Sequence, residues 1–328
     1  MRVLVTGGAG YIGSHTVYKL IESGHDVVVV DNFYSGYRWA VHPKAKLIEG
    51  NAGNQLQMQE ILTQNNIGGV IHFAAHMVVP ESVSNPLKYY QNNVSTSASL
   101  LAACTTVGVD KFIFSSTAAV YGNSIMEPVN EDVIPSPINP YGTTKLVTEW
   151  MLRDIVASQK HSFSYVALRY FNVAGASLDG SLGQSTPDAT HLIKVACEAA
   201  CELRNSVSIY GTDYPTPDGT CIRDYIHVED LAAAHVDALS YLNVNNDVSA
   251  TFNCGYGVGY SVKEVLQTVR KVSGVNFEIY ENARRTGDPV SLIADSSLIR
   301  KVLGWQPKYN DLELICSTAY QWEKKGKR

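Results

Sequence analysis

Long apolar runs are missing from this chain of 328 residues. No segment approaches the roughly 20 residues that cross a bilayer as a helix. The start has no basic region, apolar span and cleavage site of an export signal. A cytoplasmic protein with no membrane partner is expected. Excess basic charge is missing too: 26 Lys and Arg stand against 31 Asp and Glu, for a net charge of -5. A nucleic-acid partner, which needs a basic face, is not expected. The only basic run, Lys324 to Arg328, reads as a solvated tail. Cysteine is sparse, with six in the whole chain and none spaced C-x-x-C, which excludes a disulfide framework. Cys197 and Cys201 lie one helical turn apart with no histidine at metal spacing, so core packing is expected of them. His72 and His76 straddle the end of a strand with no third ligand at hand, and no metal is expected. No repeat or low-complexity tract is present, and 45% hydrophobic residues fit a globular core.

What the chain has is glycine in a telling place. The apolar run Val3-Leu4-Val5 leads into Gly7, Gly10 and Gly13, spaced G-x-x-G-x-x-G, at the head of a helical stretch. A strand that turns through glycines into a helix sets backbone N–H groups and a helix N-terminus against a pyrophosphate. Gly7 suits the tight turn, Gly10 the approach of phosphate to backbone, and Gly13 close packing of helix on sheet. The next apolar run, Val27 to Val30, ends in Asp31. A carboxylate there accepts from both ribose hydroxyls and repels a 2'-phosphate, which favours NAD over NADP.

Apolar, β-branched runs recur at Val3 to Thr6, Val27 to Val30, Lys46 to Glu49, Val70 to Phe73, Phe112 to Ser115 and Tyr165 to Leu168. Helical stretches separate them at Ile12 to Glu22, Gln55 to Gln64, Leu87 to Val107 and Tyr141 to Ser158. This alternation predicts an α/β fold, a doubly wound parallel sheet of Rossmann type. It loosens near Asn172, so residues 1–171 read as the NAD-binding domain and 172–328 as a smaller α/β substrate lobe, with some crossing of the chain between them. The lobe is expected to hold helices near Ala189 to Leu203 and Glu229 to Leu242, strands near Val207 to Ile209 and Phe277 to Tyr280, and a terminal helix. A second glycine-rich stretch, Phe252 to Gly259, imitates the first. No acid-ended strand follows it, and Ser261 with Glu264 reads as a capping box, so packing beside the substrate lobe is expected.

Chemistry concentrates around Tyr141-Gly142-Thr143-Thr144-Lys145. Four residues apart, the phenol and the ammonium share one helix face. A phenol with a pKa near ~10 is a poor base at neutral pH, but a nearby cation favours the phenolate. Upstream, Phe112 to Gly122 is a strand whose carboxyl end carries the hydroxyls of Ser115, Ser116 and Thr117. A hydroxyl there can bind a substrate oxygen and relay its proton.

The chain resembles the extended short-chain dehydrogenase/reductases, most closely their UDP-galactose 4-epimerases. The resemblance rests on TGGAGYIG, VVVVDN, HFAA, NNV, SSTAAVYG, YGTTK, LRYFNVAGA, YGTDYPTPDGTCIRDYIHVEDLAAAH, FNCGYGVGYSVKEV and ARRTGDP, nearly end to end. It implies Tyr141 as base, Lys145 as its partner and Thr117 as the catalytic hydroxyl. For NAD it implies Gly7, Gly10, Tyr11, Ile12, Gly13, Asp31, Asn32, Asn51, Ala52, Phe73, Ala74, Asn93, Ser115, Tyr141, Lys145 and Tyr170. For a UDP-hexose it implies Thr117, Tyr170, Asn172, His191, Leu192, Ser208, Tyr210, Arg223, Arg285 and Asp288. Arg223 and Arg285 offer forked donors suited to a diphosphate, and Asp288 can accept from a ribose hydroxyl. The bland alternative pairs Arg223 with Asp224 or Glu229. Asn51 stands where many relatives carry Asp, and Met77 where some carry Lys, which implies a looser hold on NAD. Relatives dimerise through helices equivalent to Leu87 to Val107 and Tyr141 to Ser158, so a homodimer is expected.

The residues after Thr117 narrow the reaction. Related 4,6-dehydratases carry Asp-Glu there, and decarboxylating relatives carry Glu at the second position. This chain has Ala118 and Ala119, which supply neither acid nor base for elimination. The expected activity is interconversion of UDP-galactose and UDP-glucose through oxidation at carbon 4, rotation of the keto sugar and re-reduction. Leu292, four residues past Asp288, falls where a bulky Tyr in some relatives excludes N-acetylated sugars, so a broader UDP-hexose and UDP-N-acetylhexosamine range is the alternative. Another sugar-nucleotide oxidoreductase, or an NAD-binding regulator without chemistry, stays open as well.

Overall fold

The structure, a computed structural model, describes residues 1–326 apart from Ile125, Met126, Gln159, His161, Asn246 and Thr286. Lys327 and Arg328, the end of the basic tail, lie outside the described residues. The first half runs β1 (Arg2–Thr6), α1 (Tyr11–Glu22), β2 (Asp26–Asp31), β3 (Lys46–Glu49), α2 (Gln55–Gln64) and β4 (Gly69–His72). The short helices α3 (Val79–Ser84) and α4 (Pro86–Tyr89) follow, then α5 (Thr96–Val107), β5 (Lys111–Thr117), α6 (Pro140–Ala157) and β6 (Ser164–Tyr170). β5 and β6 outlast their apolar runs because parallel pairing continues through Ser116↔Arg169 and Thr117↔Tyr170. Backbone hydrogen bonds thereby hold polar residues rigidly at the carboxyl end of the sheet.

The predicted helix from Leu87 to Val107 is not continuous. α4 opens at Pro86, and a widened π-helical turn over Tyr90–Ser95 joins it to α5. Such turns splay the backbone where side chains need a different direction, and they recur at functional sites. Here Asn93 in the turn bonds the backbone of His76 and the hydroxyl of Thr144.

The second half contains β7 (Asn172–Ala174), α7 (Leu192–Ala200), β8 (Ser206–Tyr210), β9 (Ile222–His227), α8 (Val228–Val244), β10 (Ser249–Cys254) and β11 (Gly259–Ser261). After these come α9 (Val262–Ser273), β12 (Glu278–Asn282), β13 (Ser291–Leu292), α10 (Ser297–Leu303) and α11 (Leu312–Lys324). The large sheet is parallel, in the order β10-β6-β5-β4-β1-β2-β3. Its outer strand β10 comes from the second half and pairs with β6 from Ser249↔Tyr165 to Cys254↔Tyr170. The second glycine-rich stretch therefore begins as a strand of the main sheet, then turns into β11 and the capping box of Ser261 and Glu264 that opens α9. A smaller sheet sets β7, β11 and β13 around β9, and β8 pairs with β12.

Strand residues alternate between two cores. Val3, Val5, Val27, Val29 and Ile71 face α1 and α8, while Leu4, Val28, Val30, Val70 and Phe112 face α2 and α5. Both faces of the sheet are covered, so the strands read as continuous apolar runs. Cys197 is fully buried and Cys201 half-buried, the former in the first of these cores.

Candidate active site

The functional residues gather along the carboxyl ends of the parallel strands, where open α/β sheets bind ligands. Gly7 adopts φ 74°, and a Cβ built on it would sit 2.8 Å from the amide nitrogen of Ala74. A Cβ on Gly13 would come within 2.2 Å of the carbonyl of Gly7, so α1 lies directly on the turn backbone. Gly10 caps α1 without a side chain, which leaves the first N–H groups of the helix for an outside acceptor. Asp31 closes β2. Its Oδ2 accepts from Ala9 N at 2.9 Å and its Oδ1 from Phe33 N at 2.8 Å, which fixes the carboxylate and leaves each oxygen a further lone pair. This bare, N–H-lined cradle followed by a rigidly held acid fits an adenine dinucleotide.

Tyr11, Ile12, Asn32, Asn51, Ala52, Phe73, Ala74, Ser115 and Tyr170 line the same cleft. Asn51 Oδ1 already accepts from Gly53 N at 2.8 Å. Asn93 is placed differently from the expectation. Its amide is used up on His76 and Thr144, so it braces the loop after β4, while the neighbouring Asn92 lines the cleft. His72 spends both ring nitrogens on Thr6 and Ser97, at 2.7 and 3.0 Å, and burial pushes it down to about 3.

Tyr141 and Lys145 sit in the first turns of α6, whose start is fixed by Asn139 accepting from Gly142 N at 2.9 Å. Lys145 Nζ donates to the Ser115 carbonyl at 2.7 Å and lies 4.9 Å from the centroid of Phe114. Burial pulls the Lys145 ammonium down to about 7, opposed by the charge of Glu149. Burial pushes the Tyr141 phenol up to about 12, opposed by its hydrogen bond with Thr117. Thr117 Oγ1 accepts from Ala119 N at 3.1 Å, so its proton is free to donate toward Tyr141. Tyr170, its phenol raised by burial, bonds Ser115 Oγ. Of the three hydroxyls at the end of β5, Ser116 departs from the expectation. Strand alternation turns it away from the cleft onto Glu149, which forms a buried fork with Arg169.

The second half supplies the far wall. Arg223 on β9 stands 3.7 Å from Asp288 Oδ1 rather than pairing with Asp224 or Glu229. Asp224 instead accepts the N–H groups of Tyr256, Gly257 and Ala294, and Glu229 pairs with His15. Arg285 lies 3.6 Å over the ring of Tyr210, whose phenol it holds below its ordinary value. Asn172, His191, Leu192, Ser208 and Leu292 line this part, with His191 bonded to Gln184 at 2.9 Å. Arg223, Asp288, Arg285 and Tyr210 border one continuous cleft with the glycine cradle, Asp31, Thr117, Tyr141 and Lys145, of about 960 Å³, at the upper end of ordinary ligand sites. Sequence reasoning missed Asn139, Glu149 and Arg169. A cap at the head of the helix that carries Tyr141 and Lys145 was legible in Asn139-Pro140, whereas the buried fork depends on strands pairing at a distance.

A parallel sheet with this cradle and a Tyr-Lys pair at its carboxyl edge defines a nicotinamide-dependent enzyme of the Rossmann class. The chain belongs to the NAD dependent epimerase/dehydratase family, whose model matches residues 3–255. It is similar to a UDP-glucose 4-epimerase of Azospirillum brasilense, 51% identical over 98% of this chain and 92% of that one. The solved UDP-glucose 4-epimerase of Brucella ovis in complex with NAD superposes with TM-score 0.94 at 44% identity, over 98% and 97% of the two chains. The UDP-Glc/GlcNAc 4-epimerase of Campylobacter jejuni gives 0.86 at 47%, over 99% of each.

Proposed function

We propose that this chain is a UDP-glucose 4-epimerase that interconverts UDP-galactose and UDP-glucose, with a UDP-hexose bound across residues 172–328 and NAD across residues 1–171. One observation carries the reading: a single cleft joins the glycine cradle and Asp31 to Arg223 and Arg285, with Thr117, Tyr141 and Lys145 between them. Bound NAD supplies a hydride acceptor at carbon 4 of the sugar and the donor for its return. Tyr141 takes the 4-hydroxyl proton, with Thr117 holding the oxygen and relaying. Lys145, anchored on the Ser115 carbonyl, contributes positive charge beside the phenol and meets the nicotinamide ribose. Arg223 and Arg285 grip the diphosphate while Asp288 meets the ribose. Gripping the nucleotide and leaving the hexose loosely held lets the keto sugar turn and receive hydride on its other face. Methyl side chains at Ala118 and Ala119 provide no acid or base to divert the ketone into elimination. An NMR time course on UDP-galactose without added NAD tests the reading. UDP-glucose should accumulate to equilibrium, and net NADH or a 4-keto-6-deoxy product would refute it.

A broader range that includes N-acetylated UDP-hexoses is the second reading, favoured because Leu292 reaches the cleft wall where a larger ring would narrow it. Leu292→Tyr should then lower kcat/KM for UDP-N-acetylgalactosamine at least about tenfold and leave UDP-galactose nearly unchanged, a discrimination a pocket contact can provide.

A cytoplasmic homodimer belongs to the same proposal. Among the described residues no helix is long and apolar enough to cross a membrane. Leu87 is 70% exposed and Trp150 on α6 46%, which leaves apolar surface for a second copy. Sedimentation equilibrium should give twice the chain mass, and a monomer at all concentrations would contradict the pairing.

A further inference from the structure

Behind the catalytic face of α6 lies a buried polar chain that none of the roles above employs. Glu149 follows Lys145 by one helical turn. Its carboxylate accepts a fork from Arg169, with Nη2 to Oε2 at 2.6 Å and Nε to Oε1 at 3.0 Å, and a further bond from Ser116 Oγ. Arg169 Nη1 continues to Tyr121 Oη at 3.0 Å, and Tyr121 donates to Asn253 Oδ1 at 2.7 Å. Glu149 and Arg169 are both under 10% exposed, so the charges are dry and their geometry is fixed on three elements, α6, β5 and β6.

The placement has a consequence for the strand end that carries the chemistry. Within three residues, β5 offers the Ser115 carbonyl to Lys145, the Ser116 hydroxyl to Glu149 and the Thr117 hydroxyl to Tyr141. Tyr121, at the far end of the turn after Thr117, is held by the same chain. A wholly structural ion pair is a costly way to join a helix to a sheet, because desolvation of both charges offsets much of their attraction. A carboxylate one turn from a buried ammonium also acts on that ammonium.

We propose that Glu149 is a positioning residue for the reaction: clamped by Arg169 and Ser116, it fixes α6 against the end of β5 so that Lys145 is seated on the Ser115 carbonyl. This rests on the reading of Lys145 as partner of the catalytic phenol. The other groups that face Glu149 and Lys145 are the Arg169 cation on β6, which forks onto Glu149, and, around the Lys145 ammonium, the Ser115 carbonyl and the Phe114 ring on β5 and neutral His72 on β4, with Tyr141, Thr117 and Tyr170 lining the same cleft. Among these described neighbours Glu149 is the one anion, and it opposes the loss of charge that burial drives.

The test is Glu149→Gln in the NAD-loaded enzyme, with kcat and KM followed from pH 5.5 to 9. Lys145 is titrated in parallel by NMR of lysine labelled with 13C at Cε, its signal assigned through Lys145→Arg. The charged form is needed, so activity falls as pH rises through the Lys145 pKa, and weakening the anion moves that fall to lower pH. The expected result is a titration lowered by about one unit, which is about tenfold in the charged fraction above the pKa. At pH 8, kcat should drop about tenfold, recover toward pH 6 and leave KM within about twofold. A titration unmoved by Glu149→Gln overturns the inference whatever the activity does. A lowered titration with an unchanged kcat profile overturns instead the role of Lys145 on which it rests. Should Glu149→Gln alone fail to fold, because Arg169 is left as a bare buried cation, Glu149→Gln with Arg169→Gln removes both charges; the Lys145 titration should then move in the same direction by less than in the single variant, and an unmoved titration refutes the inference.

Discussion

Tyr141 works against its surroundings. Burial raises its phenol to about 12, so a base at neutral pH has to be made by adding positive charge beside it. In the proposed mechanism Lys145 is one source, and the nicotinamide ring of oxidised NAD is the other. Tyr141→Phe should therefore cut kcat by ~10²–10⁴-fold, the usual worth of a positioned proton acceptor, with bound NAD retained on gel filtration. A difference absorbance titration, wild type minus Tyr141→Phe, reads the phenolate directly. In protein stripped of cofactor it should emerge only toward pH 12, and reloading with NAD should draw it down by more than one unit. An unmoved titration would show that cofactor charge does not activate the base. Tyr141, Lys145 and Asp31 were all legible as residues, since their spacing and flanks carry their chemistry. Asn93 was not, because its amide is taken by His76 and Thr144, groups 17 and 51 residues away.

Two elements carry the precision of the site. α1 touches the turn at Gly13 with no room for a methyl group, so Gly13→Ala should push the helix off the sheet. Overpacking of this kind costs ~1–3 kcal/mol, visible as a lowered Tm, and the purified protein should lose most of its NAD because the phosphate cradle opens. At the head of α6, Asn139→Ala removes the cap on Gly142 N. A lost cap costs ~0.5–2 kcal/mol. Because the capped amide follows Tyr141 by one residue, kcat should fall along with Tm while KM for the UDP-sugar, whose proposed contacts lie on β8 and β9, stays near its wild-type value. A drop in Tm with kcat untouched would show that the cap serves the helix and not the base. The strands and α2 were readable from apolar periodicity. The π-helical turn at Tyr90–Ser95 was not, since it arises from contacts to α6 and to the loop after β4.

At the scale of the whole molecule, the chain folds its second half into its first. β10 supplies an outer strand of the main sheet, and α8 covers one face of it against α1. Cutting the chain at residue 171 removes both, leaving β6 as a bare edge and an apolar face open to water. The fragment 1–171 should consequently lack a cooperative thermal transition and aggregate, whereas the full chain should unfold in one transition that bound NAD moves upward. An independently folding fragment that still binds NAD would overturn this coupling.

The sequence by itself determined the dinucleotide cradle, the parallel sheet, the Tyr-Lys pair and the absence of acids after Thr117, because each is written in residues that are neighbours along the chain or one helical turn apart. Only the tertiary structure decided that Arg223 faces Asp288, that Ser116 turns to Glu149 and that β10 completes the sheet. Those arrangements join residues 33 to 84 positions apart. Local periodicity fixes which face a side chain takes, but the partner it meets is set by how the strands pair and how the helices pack upon them.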